Sequence, residues 1–158
     1  MLENIDIQYS NTELFGQNHI KSTKIIEKIK QGSVQEVLNG IGHIKDRGLV
    51  IDVKYIKYFA NQYTYDIITC HFDNIFSHLL KYHDTYNIYV NLQSFSLTDL
   101  EKHYTFCKNM AMYFSEKYPD KLYKCYIYNA SFVFESLLKI MSTFIDKDTL
   151  GKMLLVRE

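Results

Sequence analysis

The chain has no tryptophan and a single proline, and its charges cancel, with 18 Lys and Arg against 18 Asp and Glu. A zero balance leaves no whole-molecule field to gather nucleic acid, so none is expected as a partner. The only cysteines are Cys70, Cys107 and Cys125, an odd set in otherwise apolar stretches and without disulfide-like spacing. They read as small buried hydrophobes of a reducing compartment, which predicts a cytoplasmic protein. No apolar run reaches the roughly 18 residues of a membrane span, and residues 1–18 are too polar for a signal-peptide core. Membrane contact is therefore expected to be peripheral.

Catalytic signatures are missing as well. The sequence contains no G-x-x-x-x-G-K-[ST], no G-x-G-x-x-G after a strand and no G-x-S-x-G. Their absence removes the P-loop, dinucleotide and nucleophile-elbow chemistries and predicts a protein that is not an enzyme and holds no cofactor. Six histidines raise the question of a metal, yet His71 and His78 are seven residues apart on one predicted helix. That spacing separates their rings by about 10 Å along the axis, too far to share one ion, so no metal site is expected.

Aromatic residues are plentiful: 14 Tyr and 10 Phe. An AT-rich coding sequence and a large apolar cavity would each produce such a bias, and composition leaves both open. Residues 1–18 are expected to be poorly ordered, with short helices around Ile25–Ile29 and Val34–Leu38 and a glycine-loosened stretch through Gly48. The expected division is 1–44, short helices and loop, and 45–158, the principal domain. Leu49–Tyr55 is rich in β-branched residues and reads as a strand. Ile68, Phe72, Ile75, Leu79 and Tyr82 recur at helical intervals behind Thr64. Asn87–Leu92 alternates as a second strand. Thr98 and Glu101 suggest a capping box for a helix that Pro119 closes. Tyr123–Tyr128 reads as a third strand, Ser131–Met141 as a helix and Lys152–Val156 as a last short strand. Strands alternating with helices predict an α/β fold, a mostly parallel sheet of about four strands with flanking helices.

From Asn87 to Val156 the chain resembles the CRAL-TRIO lipid-binding domain, in particular its phosphatidylinositol transfer branch. The resemblance is carried by an ordered set: the strand ending Asn91-Leu92, then Tyr118-Pro119-Asp120-Lys121-Leu122 where the family has Y-P-E-R and a hydrophobic residue, then Tyr126-Ile127-Tyr128-Asn129-Ala130 against Y-I-I-N-A. A Phe-rich helix, Phe144-Ile145-Asp146 and Asp148-Thr149-Leu150-Gly151-Lys152 complete it. The family implies a hydrophobic pocket and a cargo of phosphatidylinositol or phosphoinositide exchanged at a transient membrane surface. Its headgroup positions fall on Asp120, Lys121, Thr149 and Lys152. Here Asp and Lys stand where the family has Glu and Arg, which keeps the charge but loses reach and the guanidinium fork. Read without the family, Asp120 after Pro119 is a turn residue, Asp146 a helix cap, and Lys121 and Lys152 are solvated surface charges.

The family's mobile gate helix corresponds to about Leu137–Met153, with Phe144, Ile145, Leu150 and Met153 as its apolar residues. Choline-lipid binding is disfavoured, because Tyr86 and Ile88 stand where those members carry hydroxyls. No residue aligns with the basic phosphate contact of the family's N-terminal module. The sequence also stops before the family's closing strand, which predicts an open sheet edge able to pair two chains as a homodimer. Two other readings stay open: a carrier of a retinoid, tocopherol or sterol, and a lipid-free protein-interaction module.

Overall fold

The computed structural model describes residues 2–4, 9–16, 22–131 and 134–157. In chain order the elements are β1 (Leu2–Asn4), α1 (Asn11–Phe15), α2 (Ser22–Lys30), α3 (Val34–Ile41), β2 (Gly42–Lys45), β3 (Gly48–Asp52), α4 (Val53–Phe59), α5 (Tyr65–Tyr82), β4 (Tyr86–Asn91), α6 (Leu97–Lys102), α7 (Tyr104–Lys117), β5 (Leu122–Tyr128), α8 (Phe134–Met141), α9 (Lys147–Leu150) and β6 (Met153–Val156). The strands form one six-stranded sheet in the order β1-β6-β5-β4-β3-β2. All neighbours are parallel except the β2–β3 hairpin.

The α/β expectation holds, with two strands beyond the anticipated four. β2 extends one edge, and a three-residue β1 lies along β6 at the other. The edge expected to stay open is therefore covered by the chain's own first residues. Within the N-terminal stretch expected to be poorly ordered, α1 has a full capping box: Ser10 accepts from Glu13 N and Glu13 accepts from Ser10 N. The strand read as Leu49–Tyr55 stops at Asp52, whose carboxylate accepts from Lys54 N and turns the chain into α4. Ser96 with Asp99, rather than Thr98 with Glu101, makes the capping box of α6.

The two sheet faces differ in chemistry. One carries Leu49, Ile88, Cys125, Ile127, Met153 and Leu155, and helices α2 to α8 bury it in two apolar clusters. α5 contributes Ile68, Phe72, Ile75, Phe76 and Leu79, each worth about 1.5–3 kcal/mol of transfer free energy. Tyr82, expected on that stripe, is 71 % exposed in the last turn, and Phe76 takes its place. The other face carries Val50, Tyr89, Tyr126 and Tyr128, and Tyr9 with Leu14 and Phe15 of α1 packs on it.

Candidate functional site

At the amino end of the sheet, α7 ends on Tyr118, whose N–H still reaches Phe114 O, and Pro119 prevents a further turn. Asp120 follows with φ 60°, in the left-handed region that Asp tolerates better than most residues. The Lys121 carbonyl accepts from Tyr86 N at 2.9 Å, so this residue opens the β4–β5 ladder while its side chain stays half-buried. The other half of the set lies one strand over. Asp146 caps α9 by accepting from Thr149 N at 2.7 Å, and that bond holds its carboxyl below the usual range. Lys152 N donates to Thr149 O, and the Lys152 carbonyl accepts from Cys125 N.

The structure thus brings Thr149 and Lys152 together, though not along one helix edge, because α9 stops at Leu150. Asp120 and Lys121 adjoin at the same end of the sheet. Since Lys152 precedes the Met153–Cys125 pair, Lys121 sits about 10 Å further along β5 from it. Among the described residues no hydrogen bond or ion pair joins the two halves. Lys152 Nζ lies 3.6 Å from the largely exposed Asp148 instead.

Above the apolar sheet face, Phe134 and Leu137 of α8 are fully buried against Leu100, Ile127 and Leu155, with Leu138, Ile140, Met141 and Leu150 partly buried around them. The stretch expected as one gate helix over 137–153 divides into three pieces. α8 ends at Met141, Ser142 and Thr143 turn back to the carbonyls of Lys139 and Ile140, and α9 starts only at Lys147. Such local hydroxyl bonds compete with the helical ladder. Met153 belongs to β6, where alternation points it into the apolar cluster. Phe144 meets the Tyr104 ring edge-on at 5.5 Å, and the Tyr104 hydroxyl bonds Thr143 Oγ1 at 2.8 Å. This tether was not legible in sequence, where Tyr104 appears only as one more apolar position of its helix.

The carboxyl end of the sheet holds a polar ladder that motif reading also missed. Asn91, 1 % exposed, donates to Asp52 and accepts from Asn129, which exchanges amide hydrogen bonds with Asn11. A cleft of about 450 Å³ opens there beside Asn129 and Arg157. It is lined largely by polar groups and lies at the opposite end from Asp120 and Lys152, so its chemistry does not suit acyl chains. Among the described residues no group of three His, Cys, Asp or Glu converges as a metal set, and no helix is long and apolar enough to cross a membrane.

A mostly parallel sheet with one aliphatic face under a broken, apolar helical cover, and cations at its amino rim, makes this an α/β module with its apolar ground between sheet and helices. The sequence model of the CRAL/TRIO domain matches residues 55–158, and the chain belongs to that family, whose general property is lipid binding and transfer. Among solved structures, one titled "Crystal structure of Sfh5" shares the fold at a TM-score of 0.64 and 14 % identity. The match covers 75 % of this chain and 48 % of that one, so the chain spans about half the length of that structure. No curated protein sequence matches the chain.

Proposed function

We propose that this protein carries phosphatidylinositol or a phosphoinositide between membranes, taking the acyl chains between β4–β6 and the α8–α9 cover. The carrying observation is the cover itself. It rests on the sheet through apolar side chains, is broken at residues 142–146 and holds no buried ion pair among the described residues. Such a contact exchanges one apolar surface for another when a lipid enters. Asp120 and Lys121 on one side, with Thr149 and Lys152 on the other, are the polar groups at the mouth. A lysine there neutralises a lipid phosphate and a carboxylate accepts from inositol hydroxyls. Apolar Phe144 and Ile145 in the break, with Leu150 at the end of α9, suit shallow contact with a bilayer during exchange.

The test is transfer of labelled phosphatidylinositol between vesicles by wild type and Lys152→Ala, with mass spectrometry of the lipid that co-purifies. Transfer by wild type and a several-fold loss in the variant is the expected result. Equal transfer by both removes Lys152 from the site. A co-purified retinoid, tocopherol or sterol replaces the cargo, and a lipid-free dimer after exposure to vesicles replaces the carrier reading with an interaction module.

A further inference from the structure

Three cations near the amino end of the second sheet face lie against tyrosine rings. Strand register places Lys45, Gly48, Asn87 and Lys124 in one row across β2, β3, β4 and β5. Residues in one row leave the same face of a sheet. Gly48 leaves a gap in that row, and the Tyr89 ring lies over it; a Cβ there would stand 2.4 Å from the ring. Tyr89 in turn stacks on Tyr126 at 5.2 Å with the planes 9° apart. Around this floor, Lys45 Nζ sits 5.3 Å from the centre of the Tyr9 ring. The Arg47 guanidinium sits 5.0 Å from Tyr123, and Lys124 Nζ 5.6 Å from the same ring.

None of these cations is in an ion pair among the described residues. Asp46, the carboxylate next to Arg47 in sequence, accepts a hydrogen bond from the Tyr9 hydroxyl. Arg47 is fixed by donating to Thr85 Oγ1 at 2.6 Å; among the described residues its buried Nε and the Oδ1 of Asn87, a residue only 5 % exposed, make no hydrogen bond. A ring face holds a cation in position without neutralising it, so the positive charge stays available to an anion outside. Tyr123, 52 % exposed, completes the set with an amphipathic ring of the kind that settles at headgroup level.

We propose that this rim, Lys45, Arg47 and Lys124 around Tyr123, is the surface by which the protein docks on anionic phospholipid bilayers. Arg47 attracts lipid phosphate by its charge rather than by a two-pronged hydrogen bond, since its Nε is buried and its Nη2 already donates to Thr85. Lys45 and Lys124, three strands apart, span about 14 Å of the bilayer surface. Lys121 and Lys152 lie at the same end of β5 and β6. Docking therefore turns the mouth of the lipid site toward the membrane. The purpose of this surface rests on the lipid-carrier reading, but its test does not.

The test is flotation of the full chain with phosphatidylcholine vesicles containing or lacking phosphatidylserine, at low and high salt. Wild type is expected to float with the anionic vesicles alone and to be released by salt, as a screened surface attraction requires. Each basic group near an anionic surface contributes about fivefold in partitioning, so the Arg47→Gln, Lys124→Gln double variant loses about thirtyfold. Because Arg47 also bonds Thr85, Lys124→Gln alone is measured too; its side chain makes no hydrogen bond among the described residues, and it is expected to lose about fivefold. Lys102→Gln, exposed on α6 beyond the carboxyl end of β4, is the control and is expected to float as wild type does.

Equal binding to neutral vesicles overturns the proposal. So does wild-type flotation by the double variant or an equal loss in Lys102→Gln. Binding to neither vesicle also overturns it and points to an acidic protein as the partner of the patch. Lipid carried by the same preparations is measured in parallel. A variant that keeps its lipid but loses flotation separates docking from cargo, and a wild type that floats without lipid sinks the cargo reading alone.

Discussion

If α8–α9 is a cover that opens by itself, one pair of truncations distinguishes it from ordinary core. Leu137 in α8 and Leu79 in α5 are each 2 % exposed, but they belong to different clusters. Cutting either to Ala removes about three carbons of buried surface, about 2.4 kcal/mol, and an uncollapsed cavity raises this to about 3–4 kcal/mol. In a chain of 158 residues both variants should melt about 6–16 °C lower. Amide exchange separates them. Amides of β5 exchange on global unfolding and accelerate in both variants. Amides of α8 exchange through local opening that breaks the contacts of Leu137 but leaves those of Leu79 intact. Leu137→Ala should therefore speed α8 exchange about a hundredfold or more, since 1.4 kcal/mol is tenfold, while Leu79→Ala leaves it unchanged. If α8 accelerates equally in Leu79→Ala, α8 opens only with the whole molecule and the gating argument fails.

Two further predictions concern buried titratable groups. Burial pushes the thiol of Cys107 up to about 11 and that of Cys125 up to about 12, whereas Cys70 is exposed. At neutral pH a thiol reagent should modify one cysteine quickly and the other two only after denaturation; a second fast thiol would place Cys107 or Cys125 outside the core. His103, 2 % exposed and 2.7 Å from the Tyr65 hydroxyl, has its pKa lowered, by burial first and then by Lys102, with Asp99 opposing. The unfolded chain binds this proton near pH 6.5 and the folded one only at lower pH. The contribution is complete above about pH 6.5 and is lost as pH falls toward the folded value. Urea unfolding at pH 7.5 and 5.5 should show the drop in wild type and a smaller one in His103→Gln. An identical drop in both would assign it to other groups.

Much of the fold was legible because periodicity and caps act locally. The alternation of Asn87–Asn91 and the helical spacing of Ile68, Phe72, Ile75 and Leu79 each required no knowledge of the partner surface. What escaped was decided at longer range. β2 is four residues with a glycine at its head, paired with β3 along its length, and Gly42 lets the Phe72 ring pass at what would be 2.7 Å from a Cβ. The hairpin behind it turns at Asp46, which carries φ 52° without a glycine to announce it. Val53–Phe59 repeats the β-branched and aromatic character of the preceding strand, and only the cap on Asp52 assigns it to a helix. For the candidate site, Asp120, Lys121, Thr149 and Lys152 were proposed from an ordered motif. The Tyr104 tether and the ladder through Asn91 were not, because side-chain bonds between residues some 39 positions apart leave no local pattern.

The division of labour between the two ends of the sheet bears on how a cargo enters. The cleft at the carboxyl end is already open but polar, while the apolar ground lies beneath α8–α9 and is filled by the cover's own side chains. Lifting that cover exposes Phe134 and Leu137 together with parts of Leu138, Ile140, Met141 and Leu150, a cost on the order of 6–10 kcal/mol. Acyl chains return about 0.8 kcal/mol per buried CH₂, so about a dozen methylenes restore the balance, fewer than a two-chain phospholipid brings. A single short hydrophobe barely reaches that figure and would leave the cover largely shut. On the carrier reading, the packing of α8 therefore sets a minimum of about a dozen buried methylenes for any cargo, through what must be displaced rather than through any headgroup contact.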